Sequence, residues 1–420
     1  MESIIRDEIV KHLTDNKLIL PSQHGFMKSK SCLTNLLEYL EVLTKLVDEG
    51  HSVDVVYLDF AKAFDKVPHR RLLQKMKAHG IVGKVAEWVE RWLTGRKQRV
   101  VLNGRMSEWT EVDSGVPQGS VLGPTCFVIF INDIDMAVNT ITGIISKFAD
   151  DTKVGRVVKE DKDREALQKD LDNLMDWSEE WQMLFNSGKC KVIHFGKNNP
   201  GFSYTMGGYA PAGSVLESVV EEKDVGVMVH NSLKPSVQCA KAAKKANQVL
   251  GQMARAFHYR DKVTWIKLYK TYVRCHLEYA VQAWSPWTQA DKDLLEAVQK
   301  RAVRMVSGLQ GKEYKDRLEE LGLTTLEDRR VRGDMIEVWK ILHGKEDVLP
   351  GTWFSMASEG ATHITRQAGH PLNILRPRAK LEIRSNFFSV RCCEKWNSLS
   401  TDIKDAKTLN SFKNGYDGRN

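Results

Sequence analysis

The chain has no CxxC pair, no internal repeat, no low-complexity segment and no apolar run approaching the ~18 residues of a membrane helix. Its seven cysteines are an odd number without metal-ligand spacing. That excludes a zinc ribbon or a disulfide framework and fits a reducing compartment, nucleus or cytoplasm rather than a secreted setting. The N-terminal stretch MESIIRDEIVKHL carries acids throughout and places Ile4, Ile5, Ile9 and Leu13 at helical spacing, so it is not a signal peptide. It opens as a helix inside a domain would, which implies that further sequence precedes it. Charge of one sign does not dominate either: 62 basic residues stand against 54 acidic ones, a net +8. So small an excess makes the distribution of charge more informative than its size. What is present is 42% hydrophobic and 28% charged residues over 420 positions, enough for two or three cored domains.

Residues 1–50 are helical in pattern, broken at Leu20–Phe26. Residues 51–60 predict a strand with Val53, Val55, Tyr57 and Asp59 on one face and Val56, Leu58 and Phe60 on the other. Both faces are apolar, as in a central buried strand. Helices are expected around Pro68–His79 and Val85–Leu93, then a hairpin over 96–112 with Asn103-Gly104 at its turn. Residues 122–136 read as a helix with Pro124 in its first turn, and Asp161–Phe185 as a long amphipathic helix. A strand over 188–196, a loop with a short hairpin over 197–215 and a last strand Asp224–Val229 follow. From Lys234 to about His343 the pattern is almost wholly helical, and the tail 350–420 is weakly patterned apart from Phe387-Phe388 and Trp396-Asn397.

Two adjacent carboxylates, Asp150 and Asp151, close the apolar run ITGIISKFADD at a turn, and Asp59 ends another apolar run upstream. Charges at the rim of a core are costly unless neutralised, and a divalent cation is the usual partner. Between these runs lies SGVPQGSVLGP, stiffened by prolines and opened by glycines. In this order the three features imply metal-dependent nucleotidyl transfer, which needs carboxylates holding two ions ~3.5–4 Å apart. Whether the two strands are neighbours is not legible from the sequence, and an Asp pair in isolation reads as a solvated turn, a reading that only the surrounding blocks reverse.

LDFAKAFDKVPH, SGVPQGSVLGP and FADD together resemble the palm motifs of reverse transcriptases, more narrowly those of non-LTR (LINE-type, jockey-like) retrotransposons. SQHGF, KSCLTN, WLTGRKQRVVLNG, NSGKCKVIHFG, EEKDVGV and HLEYAVQAW carry the similarity from about residue 1 to at least 345, and FFSVRCCEKWNSLS extends it weakly. The resemblance implies an α+β fold: a right-hand polymerase with a ferredoxin-like antiparallel palm and partial fingers over 1–230, a helical thumb over 231–345 and an extension over 346–420. It implies an RNA-directed DNA polymerase using Mg²⁺, with Mn²⁺ able to substitute, on an RNA template, a DNA primer and dNTPs. It also implies that part of the fingers and an endonuclease domain lie outside this chain.

By the same resemblance Asp59, Asp150 and Asp151 bind the metals, assisted by the Phe60 carbonyl. Phe64 stands beneath the incoming sugar, although its spacing alone fits a core residue as well. Gln118 and Gly119 lie at the nascent base pair, and Lys189 is a candidate general acid that shares its strand face with Lys191. Asp65 is expected to cap the helix that begins near Pro68, and DVGVMV stands in the place of the primer grip. Residues 241–270 hold eight Lys or Arg against one acid, and Lys241, Lys244 and Lys245 form a face suited to the phosphates of an A-form hybrid. The competing expectation is a catalytically impaired, truncated relic that only binds RNA or hybrid duplex. A third assigns the tail to protein interaction.

Overall fold

The computed structural model describes residues 1–139, 143–207, 213–357 and 370–418. The chain forms two compact units, residues 1–35 with 50–220, and residues 36–49 with 221–420. The first is built on the strand β1 (Val53–Leu58), whose β-branched sequence VDVVYL is buried at every position. Across the sheet, β1 lies between β3 (Asp151–Val157) and β4 (Lys191–Phe195), antiparallel to both. The strand β2 (Gly143–Phe148) pairs outside β3, and β5 (Glu217–Ser218) runs parallel outside β4. Helix α1 (Gly123–Ile131) lies between β1 and β2 in sequence, and α2 (Asp161–Trp181) between β3 and β4. The first four strands in spatial order 4-1-3-2, with a helical crossover in each half, make a ferredoxin-like βαββαβ sheet. The central, doubly apolar strand expected over 51–60 is thus present.

Val56, Leu58 and Phe60 enter one core with Phe127, Phe130 and Ile131 of α1 and Leu167, Leu171, Leu174 and Trp177 of α2. Val53, Val55 and Tyr57 are buried outside that cluster, on the opposite face. The hairpin at Asn103-Gly104 forms, with φ of +49° and +77° at the two turn residues, the pair of positive values that a type I′ turn demands. Pro124 sits in the first turn of α1, where its missing N–H costs nothing. The helix α2 is shorter than its apolar stripe suggests. It starts with a capping box between Glu160 and Asp163, but ends at Trp181 because Gln182 takes φ +55°. The chain then turns back, and Phe185 bridges to Phe60 at the end of β1.

In the second unit the strand expected over Asp224–Val229 is instead a hairpin, β6 (Glu221–Asp224) and β7 (Val227–His230). Val225 and Gly226 form its turn at φ +35° and +95°. Helix α3 (Ser236–Ala256) begins the helical region, which continues through α4 (Leu326–Leu342). The weakly patterned tail also proves helical. Helices α5 (Phe388–Asn397) and α6 (Leu409–Asp417) pack on α4, with Phe412 stacked 5.7 Å from Trp339 and 6.1 Å from Trp396. Residues 208–212 of the expected 197–215 loop, and 358–369 with 419–420 of the tail, lie outside the described residues. All seven cysteines are free, and no helix among the described residues is long and apolar enough to cross a membrane.

Candidate active site

The pairing of β1 with β3 ends at Leu58 opposite Thr152, so Asp59 and Asp151 continue neighbouring strands at one end of the sheet. Asp151 also pairs with Phe148 across the β2–β3 hairpin, leaving Ala149-Asp150 as a two-residue turn. The tertiary structure therefore places at one end of the sheet the three carboxylates that the sequence kept some ninety positions apart. Ala149 holds φ +57°, a left-handed value that costs a non-glycine residue about 1 kcal/mol.

The three acids stand in different surroundings. Asp151 is exposed and Asp150 half-buried. Burial pushes the Asp150 carboxyl above the ordinary carboxylate range; its own backbone opposes the shift, and the negative charge of Asp59 adds to it. Asp59 is anchored through its backbone: its carbonyl accepts from the Asn186 N–H at 2.7 Å, and its N–H points to Cys190 Sγ at 3.4 Å. Its side chain is 36% exposed, yet Oδ2 is out of contact with solvent and accepts no hydrogen bond. Lys189 Nζ lies 3.2 Å from that oxygen, close enough to pair charges but misdirected for a hydrogen bond.

An all-carboxylate donor set and an unsatisfied Oδ2 suit a hard divalent cation. The set is not drawn together, however: among the described residues no group of three or more His, Cys, Asp or Glu is placed to hold a metal ion. Asp59 is paired with Lys189 instead, and Asp59 and Asp150 repel each other. Lys189 and Lys191 have separate partners, since Lys191 forms an ion pair with Glu217.

Phe60 is buried and stacks on Phe185 at 4.4 Å. The Phe64 ring lies parallel to Phe127 at 4.5 Å and edge-on to Phe26 at 6.0 Å, partly buried at the margin of the core. Asp65 does not cap the following helix, whose N-cap is Pro68 without a side-chain bond. It lies in the short helical turn Ala63–Lys66 and accepts from Gln118 Nε2 at 3.1 Å. Gly115 at φ +89° is pressed so closely on Asp65 that a Cβ would stand 2.8 Å from its carbonyl oxygen. The amides of Gly115 and Val116 donate to the carbonyls of Val67 and Phe64, each at 2.8 Å. The glycine-proline loop is thus laced to the segment after Asp59, while Gln118 and Gly119 remain exposed. Gly119, at φ +81°, faces open space.

In the second unit Lys241, Lys244 and Lys245 are exposed on α3, and Ala242, Ala243, Ala246 and Leu250 are buried. Lys241 Nζ reaches Met228 Sδ on the hairpin at 2.9 Å. The sequence reading assigned no site role to Ser22–Gly25 of the SQHGF block, which lies against the Asp150 turn: the His24 N–H donates to the Lys147 carbonyl at 2.9 Å, and the Lys147 N–H to the Ser22 carbonyl at 3.0 Å. A polar stretch between Pro21 and Gly25 has no apolar periodicity, so nothing in it signals burial. It also missed Asp54, fully buried in the otherwise apolar β1 and bonded to Tyr204 Oη at 2.6 Å, His194 Nδ1 at 2.7 Å and Asn199 Nδ2 at 2.7 Å.

A ferredoxin-like antiparallel sheet, helices covering one face and three carboxylates at one end define an α+β palm of the right-hand polymerase class. The family described as "Reverse transcriptase (RNA-dependent DNA polymerase)" matches residues 1–252, and the chain belongs to it. Among curated relatives, the "RNA-directed DNA polymerase from mobile element jockey" of Drosophila funebris is 27% identical over 324 residues, covering 73% of this chain and 34% of its own length. The "Probable RNA-directed DNA polymerase from transposon X-element" of Drosophila melanogaster is 23% identical over 318 residues, with the same coverage. The resemblance to LINE-type non-LTR elements is borne out by these matches, and the chain spans about a third of the length of the relatives it matches. A telomerase from Candida albicans, solved with a fragment of telomeric RNA, aligns over 76% of this chain and 58% of its own at 11% identity. The TM-score of that alignment is 0.42.

Proposed function

We propose that the chain is an RNA-directed DNA polymerase of a mobile element, extending a DNA primer on an RNA template with dNTPs. The observation that carries this reading is the meeting of Asp59 with the Asp150-Asp151 turn at one end of the sheet. In this proposal the three carboxylates hold divalent cations, Mg²⁺ or, in its place, Mn²⁺. Bound there, the cations supply activation of the primer 3′-hydroxyl and charge stabilisation at the α-phosphate and the departing pyrophosphate. Burial raises the Asp150 pKa, with the charge of Asp59 adding a smaller push, and a cation bound there would favour the ionised carboxylate.

The remaining residues position and discriminate. The Phe64 ring, held by Phe127 and Phe26, is the proposed barrier to a 2′-hydroxyl, and the Phe60 backbone supports the metal site. Gln118 and Gly119, exposed on a loop tied to Asp65, contact the nucleotide and template. Lys189 holds a positive charge beside Asp59 and is the proposed proton donor to pyrophosphate. Lys241, Lys244 and Lys245 bind the phosphates of the hybrid duplex, and the reaction takes place in nucleus or cytoplasm.

Primer extension on an RNA template, wild type against Asp150→Ala, tests the reading. Loss of incorporation by a factor on the order of 10³ or more is expected if the carboxylate sustains the electrostatic stabilisation of transfer. Equal incorporation by the two proteins would sink it.

A further inference from the structure

The Asp150 turn is held from behind by one side chain. Gln23 has no exposed surface, and its Oε1 accepts from the Ala149 N–H at 2.9 Å and the Gly25 N–H at 2.8 Å. Two amide donors converge on that atom, so it must be the oxygen of the side-chain amide. Its Nε2 is buried with no acceptor, which leaves the oxygen as the working end of the side chain. The contact is close along its whole length. Gln23 bridges to Lys147 in parallel register, and a Cβ on Gly25 would stand 2.3 Å from the Ala149 nitrogen. Ala149 is the residue that needs such support. It is buried, takes a left-handed φ of +57° without being glycine, and its N–H faces the protein rather than water.

We propose that Gln23 is a positioning residue for the family's reaction: by accepting the Ala149 N–H it holds the turn in its left-handed form and so sets where the Asp150 and Asp151 carboxylates stand. Gly25 serves the same end by letting the two backbones touch. The inference rests on the polymerase reading for its consequence in catalysis, but its geometric part concerns the carboxylate pair alone. Removing the oxygen leaves two buried N–H groups without acceptors, and the left-handed turn loses its counterweight. The carboxylates then spread over several positions, and a cation that needs them together binds more weakly.

The test uses the full chain with Gln23→Met, which keeps the length and removes the acceptor, and Gln23→Glu, which keeps an acceptor oxygen. Mn²⁺ binding followed by electron paramagnetic resonance reads the carboxylates directly, and primer extension at varied Mn²⁺ reads them in turnover. Gln23→Met should raise the half-saturating Mn²⁺ concentration tenfold or more in both assays while KM for dNTP moves less than threefold. Gln23→Glu should stay within threefold of wild type. A wild-type Mn²⁺ dependence in Gln23→Met, or equal impairment of the two variants, overturns the proposal. So does a wild-type chain that binds no Mn²⁺. Wild type that binds Mn²⁺ in a Gln23-dependent way yet extends no primer ends the polymerase reading and leaves the positioning role standing. If Gln23→Met does not fold, hydrogen exchange of the wild-type Ala149 amide decides: protection supports the bond, and exchange at the rate of an open turn refutes it.

Discussion

Lys75 shows how a single residue can carry charge through a core. Its Nζ donates to the Phe130 carbonyl at 2.7 Å and pairs with Asp133, and it lies 3.8 Å from the Trp181 ring centroid, 4.6 Å from Trp177 and 4.7 Å from Phe130. Burial pushes its pKa down to about 8, opposed by Asp133 and Glu180. With the folded value below the unfolded 10.5, the unfolded chain holds the extra proton across that interval, so stability rises with pH there. Lys147, buried beside Asp135, shifts in the same direction. Buried thiols act the other way above their ordinary value of 9.0, Cys126 being pushed up to about 12 and Cys190 to about 11. Between pH 8 and 9 the unfolded thiols already begin to ionise and oppose the lysines, so the lysine contribution is read as a difference between wild type and a variant lacking it. Lys75 should contribute about 1 kcal/mol of added stability across that interval. Urea midpoints at the two pH values should show the stability of wild type changing more favourably from pH 8 to 9 than that of Lys75→Met, by that amount. Phe64 invites a different measurement. If its ring excludes the 2′-hydroxyl, Phe64→Val should lower the preference for dNTP over rNTP about tenfold or more in kcat/KM, and an unchanged ratio would make the ring purely a core residue.

At the scale of elements, the turn between β6 and β7 depends on a residue more than fifty positions away. Tyr279 Oη donates to the Val225 carbonyl at 2.8 Å, and a Cβ on Gly226 would meet Tyr279 Cε1 at 3.0 Å while φ stands at +95°. Gly226→Ala should therefore cost about 1–3 kcal/mol in a denaturant titration, and Tyr279→Phe about 1 kcal/mol through the lost hydrogen bond. The sequence read this segment as one strand because Val-Gly lacks the Asn-Gly signature that marked 103–104 correctly. A similar silence hid the end of α2. Its stripe continues past Trp181 in the sequence, but Gln182 turns left-handed with no glycine to announce it, and Met183 and Phe185 fill the core from the following loop. The tail helices escaped notice because short segments bury Trp396 and Phe412 against α4 rather than along a long stripe of their own.

For the whole molecule, the modest net charge of +8 says little, whereas the exposed face of α3 makes a measurable claim. If Lys241, Lys244 and Lys245 each neutralise a phosphate, every Lys→Ala change should weaken hybrid-duplex binding regardless of sequence. Each should also reduce the salt dependence of log K by a slope of about 1. Unaltered slopes would remove these lysines from the interface.

Periodicity, turn chemistry and motif order were enough, by themselves, to determine the central β1 strand, the Asn103-Gly104 hairpin, the helical region after Lys234 and the family. They also singled out Asp59, Asp150 and Asp151, because acids closing apolar runs are conspicuous along one dimension. Only the tertiary structure decided that β1 and β3 are neighbours, that Lys189 faces Asp59 while Lys191 faces Glu217, and that Gln23 supports the turn. Local patterns record each residue's own backbone preference and its need for burial. Strand order and hydrogen bonds between remote segments depend on which surfaces the folded chain brings into contact, and no run of neighbouring residues carries that information.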